Sequence, residues 1–327
     1  MRGVSSGAKI DERAMMKILL CLLGVLSCAA LAQSTPSTAL APQTPLHTRA
    51  LLWEKMTTDV AHVENDFDGV MGVVIRDLTD GKEFALNADD IFPTASSIKL
   101  PMLAELFRQS QSGSGAKLAD PYTFRSEDLV PDSAIMENLT PGVSRVTNRD
   151  LAGFVVAVSD NAATNVLIDR VGMENVNRML DSLGLHSTRL QRKMMDLKAA
   201  QEGRENISSP RDMSALLEAL YRGKVLNPKM TDDFFKLLST TKDSPLPRLL
   251  PDGTRVANKP GELDGVRTDS GIVFLKERPY VISVMTTYAR DEHAASEAIS
   301  QISLIAYRYF EAVAIGSEYG RKMASTP

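Results

Sequence analysis

The chain has 327 residues, 43% hydrophobic and 24% charged, with 37 Lys and Arg against 41 Asp and Glu for a formal net charge of -4. This suits a globular protein with a sizeable core, in one large domain or two lobes. So small a charge gives no basis for nucleic acid or an anionic membrane as partner. The cysteines, Cys21 and Cys28, both lie in one early apolar run. That excludes a disulfide framework and a thiol catalyst from the rest of the chain. The histidines, His47, His62, His186 and His293, stand at no metal-ligand spacing. A metallohydrolase is therefore not expected, and no cofactor is implied.

Residues 1–14 are polar and read as an upstream extension, with Met15 or Met16 as an alternative start. Lys17, the apolar run from Ile18 to Cys28 and the exit Ala30-Leu31-Ala32 form a secretory signal peptide ending at residue 32. The run is too short for a comfortable membrane span. Secretion or a periplasmic location is expected. Val25-Leu26-Ser27-Cys28 also permits a lipid anchor on Cys28. Residues 33–48, rich in Ser, Thr, Pro and Ala, read as a disordered linker, so order is expected from Arg49.

Leu52, Met56, Val60 and Val63 then form the apolar stripe of a first helix. Val70 to Asp77 is a β-branched run, and Asp80-Gly81 turns it into a second strand over Lys82 to Asn87. The centre of the chain is mostly helical. Thr147-Asn148-Arg149-Asp150 is a capping box before an apolar run through Val158. Ala162 to Val171 resumes the helix. Ser209-Pro210-Arg211-Asp212 supplies a cap and a first-turn proline for another. Strand patterns return at Thr254 to Asn258, Gly271 to Leu275 and Tyr280 to Thr286. A last helix carries Ile299, Ile302, Ala306, Tyr309 and Val313 on one face, and residues 314–327 read as a tail. This order predicts a two-lobed α/β fold over residues 49–313. The chain ends build one antiparallel sheet flanked by terminal helices, and the middle builds an all-helical lobe. A ligand cleft between the lobes follows, and a monomer is expected.

Ser96 and Lys99 stand three apart after Phe92-Pro93, a spacing that puts both on one helical face. A serine hydroxyl is a weak nucleophile until a base takes its proton. A lysine serves as that base when burial or a neighbouring cation destabilises its ammonium. A helix start adds backbone N–H groups suited to an oxyanion. The spacing alone is weak, since it recurs at Ser6 to Lys9 and at Ser239 to Lys242. Two further clusters give it weight. Ser159-Asp160-Asn161 breaks two helical runs and exposes polar side chains, although Ser, Asp and Asn also favour ordinary caps. Lys259-Pro260-Gly261 follows a strand and offers a cation beside a close backbone approach, although an ordinary strand exit looks the same.

In this order, Ser-x-x-Lys, Ser-Asp-Asn and Lys-x-Gly resemble the motifs of the class A β-lactamases and their penicillin-binding relatives. Phe92-Pro93, Leu139-Thr140-Pro141-Gly142 and the omega-loop entry at Thr188-Arg189-Leu190 add to the likeness, and no Tyr-x-Asn triplet suggests the class C type. The resemblance implies that Ser96 forms an acyl-enzyme and Lys99 takes or relays its proton. It implies that Ser159 passes a proton to the leaving nitrogen, Asn161 orients the substrate amide and Lys259 holds the substrate carboxylate beside Gly261. The N–H groups of Ser96 and Glu262 would form the oxyanion hole, with Asp160 structural. The substrate would be a small β-lactam or a peptidoglycan-like D-alanyl compound.

The match breaks in the omega loop. Where the family has a water-activating glutamate, this alignment places Met194, and Lys198 replaces an asparagine. Asp196 is the nearest carboxylate and the candidate substitute base. Pro260 stands where the family has Thr or Ser. The usual arginine is absent from the aligned Ser270-Gly271, with Arg267 close by. Acylation is expected to survive and deacylation to be slow. The alternatives are a D-alanyl peptidase or esterase, and a β-lactam-binding protein that acylates without turnover.

Overall fold

The computed structural model describes residues 46–317 and 319–323. The expected signal peptide, the possible anchor at Cys28 and the linker up to residue 45 lie outside these residues. Helix α1 spans Leu46–Asn65, so helix begins within the stretch read as linker. Strands β1 (Val70–Asp77) and β2 (Glu83–Leu86) form the expected hairpin. The middle of the chain holds helices α2 (Lys99–Ser112), α3 (Asn148–Val158), α4 (Asn161–Val171), α5 (Met173–Ser182), α6 (Pro210–Tyr221) and α7 (Pro228–Leu238). Strands β3 (Val256–Leu263), β4 (Val266–Val273) and β5 (Tyr280–Thr287) follow, then α8 (Glu292–Ile315). Beyond α8, Gly316 bridges to Lys322, so the stretch read as tail begins with ordered backbone.

The sheet runs β2-β1-β5-β4-β3, all antiparallel. Strands from the two ends meet at its centre, where Val70 faces Thr287 and Asp77 faces Tyr280. Period-2 alternation sends Met71, Val73 and Ile75 to one face. There they pack with Met56 and Val60 of α1 and Ile299, Ile302 and Phe310 of α8. Tyr280 stacks on Phe310 at 4.1 Å between ring centroids, and Trp53 meets Tyr309 edge-on at 5.1 Å. The stripe read from the sequence is the side of α1 that enters this core.

A second core belongs to the helical lobe. Ile98, Leu103, Phe107, Leu151, Val155, Leu167 and Leu217 are among its buried members, and it reaches Ala257, Ile272 and Val281 of the sheet. The capping box forms as the sequence predicts: Thr147 accepts from the Asp150 N–H, and Asp150 accepts from the Thr147 N–H at 2.7 Å. Ser209 caps α6, with Pro210 in its first turn. Strand β3 departs from expectation. It continues through Lys259-Pro260-Gly261 to Leu263, so Lys259 stands in mid-strand, not at a strand end. Proline lacks a ladder donor, but β3 is an edge strand, where that loss is tolerated. No helix among the described residues is long and apolar enough to cross a membrane.

Candidate active site

Ser96 stands in a 3-10 turn, Ala95–Ile98, that leads directly into α2, so it precedes the α-helix instead of starting it. The turn is pinned on several sides. The Thr94 N–H and hydroxyl both donate to the Asn206 carbonyl, at 2.9 and 3.0 Å, and the Ser97 hydroxyl donates back to the Thr94 carbonyl at 2.8 Å. Ala95 has φ +47, a left-handed conformation that costs a non-glycine residue energy. Strand β3 crosses this turn at Gly261. A Cβ there would lie 2.5 Å from the Thr94 oxygen and 2.8 Å from the Ser96 nitrogen, so only glycine allows the approach.

Lys99, the first residue of α2, is fully buried. Its amine donates to the Ser159 carbonyl at 2.6 Å, the Ser159 hydroxyl at 3.0 Å and the Asn161 side-chain oxygen at 2.8 Å. Burial pushes its pKa well below the usual lysine value, and the neighbouring Lys259 charge adds to the shift against the opposing pull of Asp160 and Asp132. Three bonds match the three protons of an ammonium, and an amine that has lost one keeps a lone pair for a neighbouring hydroxyl.

Ser159 ends α3 in the left-handed region at φ +58, which turns its side chain out of the helix. Its oxygen accepts from Lys99 and from Lys259, each at 3.0 Å. With both lone pairs engaged, the hydroxyl proton is left to donate elsewhere. Lys259 also donates to the Pro260 carbonyl at 2.9 Å. It is 1% exposed, and burial pushes its pKa down to about 7 while Asp269 pulls the other way. Asp160 does structural work. One of its oxygens caps α4 through the Ala163 N–H, and the other accepts from the Ile135 and Met136 N–H groups, all at 2.9 Å.

One cavity of about 840 Å³ is lined by Ser96, Ser159, Asn161, Lys259, Gly261 and Glu262 among others. Lys99 lies behind this wall and joins it through Ser159 and Asn161, so the expected residues converge with one exception. Asp196 is not among the cavity residues; it is exposed, and its carboxylate caps the short helix Leu197–Gln201 through the Ala199 N–H at 3.0 Å. Residues of the cap-forming type had a simpler use here than catalysis. Met194 does line the cavity and is 7% exposed. The Asn165 side chain clamps its backbone on both sides, at 2.8 Å to its N–H and 3.1 Å to its carbonyl.

Arg267, the arginine noted close to the aligned Ser270-Gly271, enters the cavity wall from the same strand and pairs with Glu292 at 2.6 Å. Sequence reasoning missed other contributors. Asn206, which holds the Ser96 turn, also accepts the N–H groups of Gln191 and Arg192 at 2.7 and 3.1 Å. Lys242, set aside with Ser239, lines the cavity too. The Ser-x-x-Lys spacing also occurs at Ser114 to Lys117, exposed after α2 and outside the cavity lining.

A model of the β-lactamase enzyme family matches residues 55–310. The chain is 31% identical over 247 residues to a carbapenem-hydrolyzing β-lactamase KPC from Klebsiella oxytoca, covering 73% of this chain and 83% of that one. A crystal structure of a β-lactamase from Sphaerobacter thermophilus superposes with a TM-score of 0.72 at 30% identity, over 79% of this chain and 97% of that one. A mutant of PBP-A, solved as an acyl-enzyme complex with penicillin G, gives 0.70 at 27% identity, over 80% and 97%.

Proposed function

The chain belongs to the β-lactamase enzyme family, and on that premise we propose that it opens β-lactam rings through an acyl-enzyme on Ser96. Its kinship with the class A serine enzymes makes it a serine β-lactamase-like hydrolase and supports β-lactam hydrolysis in general. The observation that carries the finer reading is the pair of buried lysines sharing the Ser159 hydroxyl beside Ser96. Neutral Lys99 takes the Ser96 proton as the hydroxyl attacks the lactam carbonyl. The C–N bond then breaks, and Ser159 delivers a proton to the leaving nitrogen. Asn161 orients the substrate amide, Lys259 holds the carboxylate, and the N–H groups of Ser96 and Glu262 receive the oxyanion. The leader sequence supports export to the periplasm or beyond.

Met194 in the cavity favours a second reading, in which the acyl-enzyme persists and the natural substrate is a D-alanyl peptide or ester. Intact-protein mass after mixing with benzylpenicillin tests both. The unaltered chain gains one penicilloyl mass, Ser239→Ala does the same, and Ser96→Ala gains none. Labelling that survives Ser96→Ala refutes the nucleophile; a transient adduct supports the first reading and a lasting one the second.

A further inference from the structure

Asp132 is a carboxylate of this cavity that the proposed chemistry leaves unused. Its loop is bound to the break between α3 and α4. The Asn161 N–H donates to the Asp132 carbonyl, and the Asn161 side-chain amide donates to the Pro131 carbonyl, each at 3.2 Å. The Ser133 hydroxyl oxygen accepts the Ala162 N–H at 3.0 Å. These bonds hold Asp132 at φ +57, a left-handed conformation that Asp and Asn adopt more readily than other non-glycine residues. The backbone of Asp132 is thus built into the site, while its side chain is exposed at the cavity wall. Among the described residues that carboxylate has no ion pair and no hydrogen bond.

Charge is sparse on this part of the wall. Of the cavity residues between positions 95 and 206, Asp132 and Arg192 alone are charged. Arg192 is 8% exposed and pairs with Glu205 at 2.7 Å. The same stretch of wall is partly apolar, with Val158 46% and Leu197 61% exposed. The other charged residues of the cavity come from Lys242 onward in the chain. Of these, Glu262 and Asp264 are acids without an ion pair among the described residues, exposed at the β3–β4 hairpin tip and not on the loop that Asn161 holds. The Asp132 charge reaches into the site, where it favours the ammonium form of the buried Lys99.

We propose that Asp132 receives an ammonium group on the acyl arm of the substrate, carried by the carbon next to the amide that Asn161 orients. This rests on reading Ser96 as acylated in this cavity. Because Asn161 binds the Asp132 backbone directly, a charge one carbon beyond the oriented amide comes within the field of the carboxylate. Asp132 is a specificity residue: it favours apolar arms bearing a cation and disfavours arms bearing a second carboxylate.

Three penicillins test this. Benzylpenicillin, ampicillin and carbenicillin share a phenyl group and carry hydrogen, an ammonium and a carboxylate on that carbon. Calorimetry measures their affinities for the full chain carrying Ser96→Ala, at about pH 6, below the range of an α-amine. Ampicillin binds about three- to fivefold tighter than benzylpenicillin, and carbenicillin about three- to fivefold weaker, as for an exposed ion pair. Adding Asp132→Asn brings the three within about 1.5-fold of one another, since asparagine keeps the left-handed backbone and loses the charge. No order by charge, an order that survives Asp132→Asn, or a loss shared equally by all three overturns the proposal. Intact-protein mass of the unaltered chain judges the Ser96 reading separately. An adduct without the charge order refutes this proposal alone, and the charge order without an adduct refutes the Ser96 reading alone.

Discussion

At Met194 the cavity presents a thioether, a weak acceptor that takes no proton. Hydrolysis of an acyl-serine needs a water within reach of a base, and a positioned base contributes about 10²–10⁴-fold, or roughly 3–5 kcal/mol of barrier. Deacylation is therefore expected to lag acylation by about that margin. Nitrocefin would give a burst of about one product per enzyme before a slow phase. Because Asn165 fixes the Met194 backbone, Met194→Glu directs its carboxylate into the same space and speeds the slow phase. Asp196→Asn leaves both phases unchanged, since Asp196 is a solvent-facing cap. A burst-free wild-type reaction that collapses in Asp196→Asn would reverse these assignments.

The crossing of β3 over the Ser96 turn sets the geometry at the next scale. Gly261→Ala forces a Cβ against backbone at 2.5 and 2.8 Å, neither of which is a flexible chain end. The turn or the strand must shift, and a displacement near 1 Å costs an oriented reaction about 100-fold. Gly261→Ala should slow acylation by benzylpenicillin by about that factor while the circular dichroism stays native. Acylation at the unaltered rate would show that the close approach is incidental. This crossing is also where the sequence misled. Caps such as Thr147-x-x-Asp150 and Ser209-Pro210 were readable because their bonds span three residues. Pro260-Gly261 carries the local signature of a turn, and only the position of β3 at the sheet edge makes it strand. Lys242 was read as half of a chance motif for a similar reason: nothing local reports that the loop after α7 folds against β3. The Ser96, Ser159 and Lys259 clusters were found because each carries its own short pattern. Asn206 and Asp269 have none and act through distant partners.

Across the whole molecule, the buried lysines couple the site to stability. Lys259 titrates at about 7 in the folded chain against an ordinary 10.5. Between those values the unfolded chain binds a proton that the folded chain lacks, so stability rises with pH across that window. Below about 7 both states are protonated and the full penalty is felt, of order a few kcal/mol at ~1.4 kcal/mol per pKa unit. Lys259→Met should thus raise the thermal midpoint at pH 7 and raise it less at pH 10, while losing acylation. A midpoint lowered equally at both pH values would mean that the amine holds the fold together. The sheet order adds a matter of timing. A growing chain that has reached Leu263 already holds Ser96, Lys99, Ser159, Asn161 and Lys259. It still lacks β4 and β5, the strands that join β3 to β1. Until residues 280–287 emerge, the β1–β2 hairpin waits with one edge unpaired, and α8 is not yet there to join α1 over its apolar face. The reaction centre is thus assembled only after its reacting groups are made, and a chain cut short at Leu263 would hold every one of those groups and no enzyme.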